Sequence, residues 1–392
     1  MFRFVSLAFL AFLALLPLAS AQQPTTTSPS ARPVLRALPL GETPTPAPAS
    51  PAVLVKPALT TNPVAPIPAV SLPSPLEVKP TGDDALRLQI FLDDARFGPG
   101  IIDGKPGRFT ELAVQSWNEV NGHPLTDWVA VNTAARKKVQ NPLAVALVPD
   151  CVVAWVDVSL PTKVSHQARR KRMSYRGVAE FMAERYHCDV EFLALINPNL
   201  KIHSLKPRDS LVVPNVSPFT IESLTGLGYK SDEVMSLRHA VVDTKVNQVR
   251  IFEGAPPARI VAEPGSLSSN TIVPNRGLIA SFPITPGENR FIKFGTWEVR
   301  NSVELPHWRY DQKLLDTGKR SADSEALHIP PGPNSPVGIF WCGLSRPGIG
   351  MHGTPNPETI GRARSHGCIR MANWDAVRLP TLIRPGTTVE IR

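Results

Sequence analysis

His352-Gly353-Thr354, a run rich in Pro, Gly and Arg, and then Ser365-His366-Gly367-Cys368-Ile369-Arg370 form the stretch on which the reading of the chain turns. It sets a thiol beside Gly and His, with a second His sixteen positions upstream of Cys368. Thiol and imidazole supply a nucleophile and a base, the minimum for acyl transfer. Gly367 lets the backbone approach a substrate carbonyl, so the amides of Gly367 and Cys368 are candidate donors to a developing oxyanion. A single cysteine on its own reads as a small buried hydrophobe. The whole pattern favours the chemistry.

The motif resembles the signature of the L,D-transpeptidase (YkuD-like) family, which places His-Gly-Thr ahead of Ser-His-Gly-Cys-(Ile/Val)-Arg. The flanking run from Pro330-Pro331-Gly332-Pro333-Asn334 through Gly350-Met351-His352 to Ala372-Asn373-Trp374-Asp375 resembles that family too. The resemblance implies that Cys368 is the nucleophile and His352 the acid/base. It implies that Ser365, His366, Gly367 and Gly353 shape the oxyanion and substrate loop, and that Arg370 orders this loop or meets a substrate carboxylate. No metal or organic cofactor is expected, since a thiolate is a strong nucleophile once His352 takes its proton. Cys342, in Ile339-Phe340-Trp341-Cys342, stands where the family has an aliphatic residue, and reads as core. A zinc site built from His352, His366, Cys368 and Cys342 is the rival chemistry, but the spacing matches no zinc motif.

Around this stretch, residues 238–392 read as mainly β. Ala240–Asp243 and Gln248–Phe252 flank a polar turn and predict a hairpin, and 296–299, 338–341 and 388–391 are further strand candidates. Asn373 is placed to cap a short helix through Val377, with Asp375 in its first turn and Pro380 limiting it. Short strands with one late helix predict a β-sandwich-like catalytic domain.

Upstream lie two smaller segments, which makes the chain multidomain. Residues 82–140 predict amphipathic helices around the turn Gly98-Pro99-Gly100-Ile101-Ile102-Asp103-Gly104, and resemble the small helical peptidoglycan-binding domain, although Trp117 stands where that family more often has Phe. Residues 173–215 predict two helices, a stop at Asn197-Pro198 and a closing strand ending Val213-Pro214. That order is similar to an α+β LysM domain, which binds glycan strands. Its opening strand is missing, since the basic run Arg169–Arg172 stands in that place.

Met1-Phe2-Arg3, an apolar run to Leu18 and Ala19-Ser20-Ala21 read as a secretory signal over 1–21, so export to the periplasm or cell envelope is expected, with no membrane span after cleavage. Residues 22–81 read as a disordered linker, because 15 of the 42 prolines fall within 22–80 and such a composition buries no core. The catalytic segment 238–392 carries 19 Lys and Arg against 13 Asp and Glu. That surplus suits an anionic wall polymer, while nucleic acid is excluded by export and by the dispersal of the basic residues. Any disulfide would join Cys151 to Cys188, since sealing Cys368 removes the nucleophile. The resemblance implies a peptidoglycan L,D-transpeptidase that acts on stem peptides and glycan strands, with another stem or a cell-envelope protein as acyl acceptor. The alternatives are an L,D-carboxypeptidase or hydrolase on the same stem, and a non-catalytic wall-binding scaffold.

Overall fold

A computed structural model describes residues 78–256, 277–288, 291–313, 321–362 and 367–392. The expected signal peptide, all but the last residues of the linker, and Ser365 and His366 lie outside the described residues. No helix among the described residues is long and apolar enough to cross a membrane.

The described residues begin with three helices, α1 (Gly82–Asp94), α2 (Arg108–Asn121) and α3 (Trp128–Lys138). Asp83 and Asp84 in the first turn of α1 and Arg136–Lys138 in the last turn of α3 complement the helix dipoles. α2 ends on Gly122 in the left-handed region, and Asp127 caps α3 by accepting from the Ala130 amide. β1 (Leu143–Leu147), α4 (Val164–Gln167), α5 (Val178–Arg185), α6 (Val190–Leu195) and β2 (Ser210–Pro214) follow. β1 pairs antiparallel with β2, Leu143 opposite Pro214. The strand that opens this segment therefore lies at 143–147, well upstream of the basic run. That run is tied down locally: Arg170 donates to Ser159 O, and Arg172 donates to Ala154 O and lies over the Trp155 ring. Asn197 does more than stop α6. Its amide donates to Leu193 O and Val212 O and accepts from Val212 N, stitching the helix to β2.

The C-terminal part is mainly β: β3 (Gly228–Tyr229), β4 (His239–Asp243), β5 (Gln248–Phe252), β6 (Leu278–Pro283), β7 (Gly295–Glu304), β8 (Trp308–Tyr310), β9 (Leu327–Ile329), β10 (Phe340–Leu344), β11 (Gly350–His352), β12 (Ile369–Arg370), α7 (Asn373–Ala376) and β13 (Thr388–Ile391). Among the described residues nine strands share one sheet in the order β12-β11-β10-β7-β13-β4-β5-β6, with β3 also on β7. The ten-residue β7 makes this a single sheet: its first half pairs with β13 and its second half with β10. Just past β6, Thr285 exchanges both backbone hydrogen bonds with Arg370 of β12, 2.9 Å each way. The two layers of the sandwich expectation thus come from one sheet curled until its ends meet.

β5 is buried at every position, which a half-exposed hairpin would not be. Val249 and Ile251 face the interior of the curl, while Val241, Phe252 and Leu278 pack against Leu88, Leu92, Val114 and Trp128 of the three helices. Arg250 is fully buried on that outer face and pairs with Glu119 of α2. A second junction joins all three segments: Asp93 takes two bonds from Arg378 (3.0 and 2.7 Å) and lies 3.1 Å from His187 Nδ1, and His187 stacks on Trp374. The helices and the β1–β2 segment are therefore packed onto the sheet by buried contacts.

Candidate active site

β10 and β11 run antiparallel, which sets Trp341 opposite His352. Their rings stack with centroids 5.7 Å apart and 19° between planes. β12 runs parallel to β11 with Arg370 beside His352, and Cys368 immediately precedes that strand. The result is a cleft of about 760 Å³ whose wall includes Cys368, His352, Arg370, Trp341 and, from β8, Trp308. Arg309, the next residue along, is held by Asp311 and Asp323 at 2.5 and 2.8 Å, which fixes the β8–β9 hairpin that carries Trp308.

His352 is only 3% exposed, and its Nδ1 lies 2.6 Å from the carbonyl of Gly353. A carbonyl can only accept, so Nδ1 carries the proton and Nε2 is the basic nitrogen. Burial, joined by the positive charge of Arg370 and only partly offset by the Gly353 bond, pushes the imidazole down to about 4. It is neutral through the physiological range. Cys368 is partly buried and its Sγ lies 3.5 Å from Gly348 O. Burial raises the thiol, against the opposing pull of a Gly350 backbone bond and the Arg370 charge.

Gly367 has φ +103°, in the left-handed region. A Cβ on Gly287 would lie 2.3 Å from Gly367 Cα, so the two glycines cross backbone to backbone just before the thiol. Gly287 is absent from the sequence reading, although Pro286-Gly287 is a turn signal. Of the expected site residues, Cys368, His352 and Arg370 line one cleft, Gly353 bonds the imidazole and Gly367 shapes the turn. Ser365 and His366 lie outside the described residues.

Cys342 points the other way, as alternation from Trp341 requires. It is fully buried, takes a 3.7 Å contact from Ser302 Oγ, and burial pushes its thiol up to about 12. It is core. Cys151 and Cys188 are not joined by a disulfide. Asn373 is not the cap of α7; Ala372 holds that position, and the Asn373 side chain turns inward instead. Trp341, Trp308 and the surroundings of Asn373 carried no signal in the linear sequence, because the sheet assembles them.

Residues 259–391 match the YkuD family model, described as the L,D-transpeptidase catalytic domain, so the C-terminal part of the chain carries such a domain. The YkuD protein of Bacillus licheniformis, named as an L,D-transpeptidase, is 48% identical over 61 residues, covering 16% of this chain and 37% of its own length. The YqjB protein of Bacillus subtilis, with the same kind of name, is 41% identical over 102 residues, covering 25% of this chain and 49% of its own. The chain spans less than half the length of these two curated relatives. Among solved structures, an L,D-transpeptidase from Mycobacterium smegmatis is similar over 40% of this chain and 58% of that one, at 15% identity and a TM-score of 0.27.

Proposed function

We propose that this protein is an exported peptidoglycan L,D-transpeptidase in which Cys368 carries the acyl group. Cys368 Sγ attacks the carbonyl of residue three of a tetrapeptide stem, and His352 Nε2 takes the thiol proton. The tetrahedral oxyanion meets the amides of Gly367 and Cys368, and the protonated His352 then delivers its proton to the amine of the departing D-alanine. An acceptor amine attacks the thioester and frees the thiol. A second stem as acceptor gives a crosslink, an envelope protein gives an anchor, and water gives a carboxypeptidase. Arg370 is suited to meet a substrate carboxylate. The basic start and apolar run of residues 1–21 support export.

The observation that carries this reading is the shared cleft of Cys368 and an imidazole whose unprotonated nitrogen is Nε2, within an L,D-transpeptidase catalytic domain. Because the thiol is raised and the imidazole lowered, both groups rest neutral, and His352 acts as a general base during attack. Incubation with tetrapeptide muropeptides followed by mass spectrometry tests the proposal. Wild type should release D-alanine, Cys368→Ala should release none while keeping its thermal unfolding midpoint, and Cys342→Ala should keep turnover. Turnover by Cys368→Ala would refute the assignment of the nucleophile.

A further inference from the structure

The bond that fixes the His352 tautomer depends on where the Gly353 carbonyl points, and Gly353 has no side chain to hold it. Its amide donates to Phe340 O at 3.2 Å. On its other side lies the side chain of Asn373, with Oδ1 so close that a Cβ on Gly353 would meet it at 2.1 Å, and one on Gly338 at 2.2 Å. Oδ1 also faces the Ile339 amide at 3.3 Å. The Asn373 carbonyl is thus wedged between Gly338 and Gly353, two backbone positions that only glycine permits. Its Nδ2 points away from the sheet, to Glu184 Oε1 at 2.7 Å and Pro333 O at 3.4 Å. Donor faces acceptor on both sides, so the amide has one orientation.

Glu184 belongs to α5, in the segment that precedes the catalytic domain, 189 residues from Asn373. It is 7% exposed, and its other oxygen is bonded to Tyr175, itself fully buried and set edge-on to Phe181. Neighbouring Glu180 takes Asn334 Nδ2 at 2.8 Å, and the same Nδ2 reaches Ser174 O, which pins the loop carrying Pro333 to the same segment. Tyr175, Glu184 and Asn373 are all buried, and none of them lines the cleft that holds Cys368 and His352. Glu184 bears on the imidazole through two intermediaries, Asn373 and the Gly353 backbone.

We propose that Glu184 is a positioning residue for His352: by holding Asn373 between Gly338 and Gly353, it keeps the Gly353 carbonyl on Nδ1 and so leaves Nε2 as the proton acceptor. The inference rests on the reading of His352 as the base, but the geometry it concerns can be observed without turnover. Gln in place of Glu184 still accepts from Asn373 through its carbonyl and donates to the Tyr175 oxygen through its amide, so it preserves the relay. Ala does not.

The test is the ¹⁵N-histidine NMR spectrum of the full chain, with the His352 ring nitrogens assigned by their loss in His352→Ala. It is read beside kcat and KM for D-alanine release. Wild type and Glu184→Gln should show a single Nδ1–H tautomer. Glu184→Ala and Asn373→Ala should shift toward tautomer averaging and lose kcat by about tenfold, with KM little changed. Asn373→Ser is a milder lesion in the same relay, should the alanine variants fail to fold as judged by thermal unfolding. A single Nδ1–H tautomer retained in folded relay-breaking variants overturns the proposal, and so does a Glu184→Gln variant as slow as Glu184→Ala. Inert wild type with the expected tautomer behaviour would instead count against the functional reading and leave the relay standing.

Discussion

Glu184 is where a single residue's environment has consequences for the whole chain. Burial pushes its carboxyl from 4.5 up to about 8, against the bonds from Tyr175 and Asn373, which favour the charged form. The folded state therefore keeps a proton that the unfolded chain gives up. The stabilisation is fully present below pH 4.5 and is lost as pH rises through the folded value near 8. Glu184→Gln, which cannot ionise and keeps both bonds, should match wild type near pH 5 and exceed it near pH 8. Each tenfold difference in proton affinity between folded and unfolded states is worth about 1.4 kcal/mol, so the gain at pH 8 is at most a few kcal/mol. Asp375, raised to about 7 by burial, contributes a slope of the same sign in both proteins, so the difference between their profiles isolates Glu184. Thermal unfolding midpoints from pH 5 to 8 measure it; parallel profiles would mean that Glu184 ionises as freely in the folded state as in the unfolded chain.

At the scale of elements, the turn before the thiol depends on a strand distant in sequence. Gly287, just beyond β6, leaves room for Gly367, so Gly287→Ala must push the two backbones apart. Overpacking of this kind costs about 1–3 kcal/mol. Turnover should fall well beyond what that loss explains, because the displaced backbone carries the Gly367 and Cys368 amides. Gly254→Ala, where a Cβ meets nothing, is the control; equal kcat/KM in the two variants would show that the crossing does not shape the site. This dependence sets what could be read beforehand. Cys368 and His352 were legible because the motif that carries them is local, and β4, β5 and β13 because their apolar runs are short and bounded by turns. β1 was not legible: Leu143-Ala144-Val145-Ala146-Leu147 acquires its strand character from β2, more than sixty residues on. Asn373 carried a correct local signal for a helix start, but tertiary bonds to Ile339 and Glu184 outcompeted capping.

For the whole molecule, the question is whether the front segments are passengers on the catalytic sheet or part of its support. The outer face of β4–β6 is covered by the helices; Val241, Phe252 and Leu278 lie under α1–α3, and Arg250, fully buried, is matched there by Glu119. Two opposite charges removed from water contribute little net stability as a pair, but removing one strands the other in the interior. Glu119→Ala should therefore cost about 3–5 kcal/mol, whereas Glu119→Leu combined with Arg250→Met, which removes both charges of the pair, should recover most of it. The lost stability should appear in one place. The helices cover the sheet, and Arg378 bonds to Asp93 beside His187, so front and back should unfold in a single calorimetric transition whose midpoint falls in Glu119→Ala and returns in the double variant. An early transition split off in Glu119→Ala, with a later one unmoved from wild type, would show instead that the curled sheet stands without its helices.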